Sequence, residues 1–168
     1  MSTGKIFGQK IISLIATMGS VGCSKKAPGT IGSAVALPIG AALELLLGQP
    51  WFLIAIFCAF WVGLYSSEAY IKNNGGEDPQ EIVIDELVGM WATLIAFPQT
   101  WWGYILAFIA FRFFDILKPW PVCWADQRFK GTGFGVMLDD LIAGIYPFVI
   151  LIVFHLLSTL TGFSAWEI

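Results

Sequence analysis

Charge is what this sequence has least of. Only 12% of its 168 residues are Asp, Glu, Lys or Arg, about half the share of a soluble chain, and 57% are hydrophobic. With a mean hydropathy of +0.76, these values exclude an ordinary soluble domain and describe a membrane protein folded as one domain over residues 1–168. Histidine occurs once, as His155. The three cysteines, Cys23, Cys58 and Cys123, are widely spaced and form no Cys-x-x-Cys pair, which excludes both a disulfide framework and a zinc site. Basic residues form no stripe and the net charge is -3, so a nucleic-acid partner is not expected. The N-terminus has a charge at Lys5 but no uninterrupted apolar stretch leading to small residues, which argues against a removed signal peptide.

Against this background a few acids stand out. Asp85 and Glu86 lie inside the apolar run from Ile82 to Met90, Asp115 follows Arg112 in the run Phe111–Asp115, and Asp139 and Asp140 close the run Val136–Asp140. An ionised carboxylate in an apolar setting is costly unless it meets a cation, a metal or water. The expectation is that Asp85, Glu86, Asp115, Asp139 and Asp140 converge on one metal site. Oxygen ligands without cysteine or a usable histidine favour Mg²⁺. The bland alternative is that each acid pairs with Arg112 or Lys118, or faces water at a helix end. Glu44 and Glu81 read as interface or capping residues, and His155 as a hydrogen bonder in helix packing.

The periodicity is helical throughout. Phe7, Ile11, Leu14, Ile15 and Met18 share one face of an interfacial helix. Pro28–Ser33 interrupts the pattern as a tight turn, with Thr30 and Ser33 placed to cap a helix or bind an anion. Two apolar segments, Ala34–Leu47 and Trp51–Tyr65, form a helical hairpin extending to about Ile31 and Tyr70 and stopping at Asn73–Gly76. Asp78, Pro79 and Glu81 read as N-cap, N1 and N3 of a third helix, which carries Asp85 and ends near Phe97. Trp101–Leu117 forms a fourth, Lys118–Pro121 ends it, and the segment from Trp124 to Phe129 rests at the interface. Gly131–Gly135 is a flexible loop feeding the two aspartates, and the clearest span runs from Leu141 to Trp166. The fold class is an all-α polytopic membrane bundle with about five embedded helices and an N-terminal interfacial helix. If both hairpins turn on one side, Lys5, Lys10, Lys25, Lys26, Lys72, Lys118, Arg128 and Lys130 lie opposite, 8 of the 9 basic residues, which places that face in the cytoplasm.

Phosphate chemistry by a histidine nucleophile would need a histidine at that basic face, where there is none. A cysteine-phosphatase loop needs an arginine six positions on, where Cys23 meets Gly29 and Cys123 meets Phe129. The Asp-x-Asp pair of aspartyl-phosphate enzymes is also absent from the sequence. What remains is metal-activated water, with Asp139 or Asp140 as base and Asp85 and Glu86 as the more rigid ligands. Arg112 and Lys118 are the expected contacts to the phosphate, with Thr30, Ser33 and Lys26 as further candidates. Lys25, Lys26 and Lys130 attract anionic lipid.

Four motifs, taken together, resemble the phosphatidylglycerophosphatase A family: Pro28–Ser33, Asp85–Trp91, Phe111–Pro121 and Gly135–Asp140. The resemblance covers roughly residues 20 to 160. It implies a Mg²⁺-dependent, all-α enzyme of the bacterial cytoplasmic membrane that hydrolyses phosphatidylglycerophosphate to phosphatidylglycerol and phosphate. Where the family has an Asp-Arg pair before a Gly-Gly loop, this chain has Asp126-Gln127-Arg128 and Gly131-Thr132. The rival readings are a small ion- or proton-coupled transporter using the intramembrane acids, a structural subunit, and a phosphatidyl-group transferase, whose Asp-Gly-x-x-Ala-Arg motif is missing. Oligomeric state is not readable from the sequence.

Overall fold

The computed structural model describes residues 3–76 and 79–161 of the chain, and among these it contains helices and no strand. Helix α1 spans Thr3–Ala16, α2 Pro28–Leu47, α3 Gln49–Asn74, α4 Ile84–Leu94, α5 Trp101–Leu117, α6 Val122–Arg128 and α7 Gly133–Thr161. Three of them, α2, α3 and the stretch 133–154 of α7, are long and apolar enough to cross a membrane. Helices α4 and α5 are a shorter antiparallel pair, α4 rising only about 16 Å over its 11 residues. The all-α membrane bundle is as expected, with three of its helices long enough to span by themselves. Large apolar side chains face outward along them, among them Phe57 and Trp61 of α3, Ile109 and Phe113 of α5 and Val153 and Phe154 of α7, a surface suited to lipid rather than water. On α1, Phe7, Ile11 and Leu14 are exposed in the same way, as an interfacial helix requires.

The centre of the bundle is α4. Every one of its residues except Asp85 is buried, so this short helix is apolar on all sides and surrounded by α2, α3, α5 and α7. Its start differs from the expectation. Asp78 lies outside the described residues, and Pro79 and Glu81 stand in a turn before the helix, closed by Ile82 N–H donating to the Pro79 carbonyl at 3.0 Å. Helix α4 instead begins after Val83, whose N–H donates to the Ala16 carbonyl at the end of α1 (3.0 Å). A tertiary hydrogen bond thus overrides the local capping signal. The Pro28–Ser33 stretch is also not a tight turn. Pro28 occupies the first helical position of α2, where a missing N–H costs nothing, and the helix continues unbroken through Pro38. Likewise Gly133–Gly135 is not loop but the first turn of α7, closed by Gly135 N–H donating to Thr132 Oγ1 at 3.0 Å and Gly133 N–H to Glu68 Oε2 at 2.7 Å. Glu68 reaches this N-terminus from α3 and is itself paired with Lys72 at 3.0 Å. Glu44, expected at an interface, is buried in α2, and its Oε2 has no partner; Glu81 is exposed. The His155 side chain lies outside the described residues, as does the chain beyond Thr161.

Small residues set how closely the helices approach. A Cβ on Gly144 would lie 2.3 Å from the Gly89 carbonyl oxygen, and one on Gly89 would lie 2.6 Å from the Asp140 carbonyl oxygen. Helices α4 and α7 therefore cross backbone against backbone, as small residues permit in membranes. Thr93 Oγ1 fastens the crossing, lying 2.9 Å from the Gly89 carbonyl and 3.1 Å from that of Gly144. Gly144→Ala is expected to cost about 1–3 kcal/mol by overpacking. Gly8→Ala, where a Cβ meets nothing within 4 Å, should cost nothing. Thermal unfolding of both variants in detergent checks this, and equal midpoints would refute a backbone-limited crossing.

Candidate active site

Helices α2, α4 and α7 begin at one end of the bundle and α3 and α5 finish there, so the expected site residues gather at that end despite their separation in sequence. Asp85 and Glu86 occupy the first turn of α4, where the partial positive charge of the helix N-terminus favours carboxylates. Arg112 and Asp115 come from the last turns of α5. Lys118 ends that helix in the left-handed conformation (φ 43°), and Asp139 and Asp140 lie on the second turn of α7. All five acids, with Lys118, line one polar cavity of about 150 Å³.

Five residues outside the expected set also line it, Gly135 and Val136 of α7 among them. Asp126 enters from α6, and Lys130 and Gly131 from the α6–α7 connection. Asp126 carried a signal that was set aside because its neighbours depart from the family pattern. Thr30 and Lys26 do not line the cavity; Thr30 stands on the first turn of α2, and Lys26 is exposed before it.

The charges are arranged in two clamps. Arg112 Nη1 lies 2.6 Å from Glu86 Oε2 and 2.9 Å from Asp115 Oδ2, with all three side chains largely shielded from solvent. Ser33 Oγ completes this clamp 2.7 Å from Glu86 Oε2 and 3.3 Å from Arg112 Nη1. The Gly29 carbonyl is also in reach at 2.9 Å, but a hydroxyl has one proton and the charged acceptor is the stronger partner. Gly29 is required here, since a Cβ at that position would fall 2.0 Å from Glu86 Oε1. Arg112 thus turns its guanidinium to carboxylates and does not line the cavity, a different placement from the phosphate contact expected of it.

In the second clamp, Lys118 Nζ lies 2.7 Å from both Asp139 Oδ2 and Asp126 Oδ1. Burial alone would lower the Lys118 pKa, but the Asp139 and Asp126 carboxylates outweigh it and hold the ammonium above the ordinary lysine range. Lys118 is therefore charged at any physiological pH. Asp85 Oδ1 accepts the Glu86 N–H at 2.9 Å, whereas Asp140 Oδ2 is buried with no hydrogen-bond partner.

The donor set suits a hard divalent cation in kind. Among the residues that line the cavity or pair with its lining, six carboxylates (Asp85, Glu86, Asp115, Asp126, Asp139 and Asp140) face three cations (Arg112, Lys118 and Lys130). The excess of negative charge and the orphaned Asp140 oxygen both call for a further positive charge. As the side chains are placed, no three His, Cys, Asp or Glu among the described residues stand close enough together to hold a metal ion. Closing on a cation would require one or more carboxylates to turn inward, and Asp140 is the least encumbered. The three cysteines are free, in keeping with a chain without disulfides.

No solved structure matches this chain. Among curated proteins it is 41% identical over 140 residues to a Haemophilus influenzae phosphatidylglycerophosphatase A, covering 83% of this chain and 85% of the relative. It is 38% identical over 135 residues to the Escherichia coli protein of the same name, covering 79% and 76%. A Bacteroides thetaiotaomicron protein, provisionally named a phosphatidylinositol-3-phosphatase, is 40% identical over 147 residues, covering 83% and 91%. The family model for phosphatidylglycerophosphatase A matches residues 14–155, a stretch that contains every acid of the cavity. By that match and by these identities, the chain belongs to the phosphatidylglycerophosphatase A family of membrane phosphatases.

Proposed function

We propose that this protein hydrolyses the terminal phosphomonoester of phosphatidylglycerophosphate, with Mg²⁺, at the cytoplasmic face of a bacterial inner membrane. The observation that carries the reading is the gathering of Asp85, Glu86, Asp115, Asp139, Asp140 and Lys118 around one cavity at one end of a membrane bundle, in a chain of this family. A transport path would place its charges through the bundle, whereas these acids lie together at its end.

A phosphomonoester dianion adds negative charge to a site already rich in it, which is the electrostatic reason for a divalent cation here. Asp85, Glu86, Asp139 and Asp140 are the residues that would hold it, with Asp115 behind them. When bound, Mg²⁺ shields the phosphoryl oxygens and lowers the pKa of a neighbouring water. Lys118, fixed between Asp126 and Asp139, presents a permanent positive charge to the phosphate, and Lys130 lines the same cavity from the loop above. Asp140 Oδ2, free of other partners, is the acceptor for the proton of the attacking water, with Asp139 beside it. Phosphomonoester hydrolysis passes through a loose transition state, so positioning and charge balance suffice and no phospho-enzyme is required. Direct attack inverts the configuration at phosphorus.

The lysines before α2 serve a different purpose. Lys25 and Lys26 are exposed and hold the face against anionic lipid, an attraction screened over about 10 Å at 0.1 M salt. The cytoplasmic orientation follows from the lysine-rich face at the site end. The relatives are named for different substrates, each a membrane phospholipid carrying a phosphomonoester, which the cavity would recognise through the phosphate. In vesicles, purified protein should release phosphate from phosphatidylglycerophosphate with Mg²⁺ and lose that activity with a chelator, regaining it when Mg²⁺ is restored. Release unaffected by chelation would overturn the metal; no release under either condition would overturn the activity.

A further inference from the structure

The face of α7 that carries Asp139 does not end at the cavity. Gly135, Asp139, Ile142, Tyr146 and Val149 recur at three- and four-residue spacing and so form one stripe of the helix. Its upper part, Gly135 and Asp139, lines the polar cavity. Its lower part, Ile142, Tyr146 and Val149, lines an apolar groove of about 370 Å³ together with Ile145 and Pro121. The opposite walls are neighbours in the chain. Lys118 lines the cavity and Pro121 the groove, three positions apart in the α5–α6 connection. Tyr146 is fixed in the groove two turns below Asp139. Its ring stacks on Phe114 at 4.7 Å, with 29° between the planes, and its hydroxyl donates to the Trp120 carbonyl.

From Asp139 to Val149 the helix rises about 15 Å, which matches half of a hydrocarbon core about 30 Å thick. The groove is therefore confined to the leaflet whose head groups meet the cavity. Two other apolar grooves lack this continuity. One, beside Phe108 and Phe113 on the outer face of α5, reaches only Arg112, whose Nη1 is committed to Glu86 and Asp115. The other runs along Leu141, Ile145 and Phe148 of α7, a stripe turned from that of Asp139, to Gln49 at the start of α3.

We propose that the α7 groove seats an acyl chain of the phospholipid whose phosphomonoester enters the cavity, so that one helix face reads both ends of the substrate. This rests on the lipid-phosphatase reading above. The cavity then sets the requirement for phosphate, and the groove sets the requirement for a long chain.

The test has two arms. Ile142→Trp and Val149→Trp narrow the groove and leave every cavity-lining residue unsubstituted. Each should raise KM for a dioleoyl substrate about fivefold, the effect of losing roughly ten carbon–carbon packing contacts, since a chain shut out of the groove remains in bilayer hydrocarbon. Neither should change kcat, or kcat/KM for a dibutanoyl analogue with the same head group. Phe113→Trp, on the other face of α5, should change neither substrate. Equal losses on both substrates, or none on either, would overturn the groove. The second arm needs no turnover: phosphatidic acid with a diazirine in its acyl chain is photolysed with the wild-type protein in vesicles, and labelled peptides are mapped. Labelling concentrated on 142–149 and displaced by excess unlabelled lipid is expected; labelling spread over all lipid-facing helices would overturn the proposal. A wild-type protein that hydrolyses neither substrate but labels at 142–149 would refute the phosphatase reading and leave the groove standing.

Discussion

Asp139→Asn will lower phosphate release by at least about a hundred-fold, the lower range for losing a group that handles a proton or positions one, while the protein stays folded. Asn keeps the shape of the side chain, removes its charge and turns one acceptor oxygen into an NH2 donor. Lys118 would lose one carboxylate at 2.7 Å and keep the other, Asp126, at the same distance, so the clamp survives in part. The informative comparison is Glu44→Gln. Glu44 is also a buried acid, its Oε2 without a partner, but it does not line the cavity. Its neutralisation should leave turnover close to wild type. Phosphate release by the two variants, with thermal unfolding to show that both are folded, separates a cavity acid from a merely buried one. Wild-type activity in Asp139→Asn would remove that residue from the mechanism.

A second large effect falls on stability. Arg112→Ala strips the cation from Glu86 and Asp115 at once, and breaking a shielded ion pair from one side costs about 3–5 kcal/mol because a buried charge is left uncompensated. The cause predicts its own remedy: Glu86→Gln added to Arg112→Ala removes the stranded charge and should recover part of the loss. Unfolding midpoints of the wild type, both single variants and the double variant make the cycle. Arg112→Lys should lose less stability, since a single nitrogen, Nη1, makes the contacts to Glu86, Asp115 and Ser33. Arg112→Ala as stable as the wild type would show that the clamp holds nothing.

The helices and the acids were legible in the sequence because burial of a charge is conspicuous in an apolar chain. The limits of α5 and the stop at Asn74 were readable from the apolar run Trp101–Leu117 and from the glycines that follow Asn74. Less legible was anything decided by a distant partner. The Asp78-Pro79 signal did not start α4, because Val83 pairs with Ala16 across the fold. The glycines before Asp139 look like a loop, yet Glu68 of α3 and Thr132 supply the acceptors that make them the first turn of a helix. Arg112 carried a guanidinium suited to phosphate, and only the packing of α4 beside α5 shows that carboxylates claim it. Asp126 was underrated because an interrupted motif was weighed above its place in space, within reach of Lys118.

The contact of Gly89 with Gly144 also works as a pivot. Gly89 lies four residues below Asp85, and Gly144 four residues below Asp140. Both acids therefore ride on lever arms of about 6 Å. Membranes of different thickness tilt their helices, and a change of about 10° in the crossing angle would move carboxylates on so short an arm by only about 1 Å, against several ångströms at the distant end of α7. The bundle can thus follow the thickness of its bilayer at the far side while the gap between its two rows of acids changes by only about 1 Å.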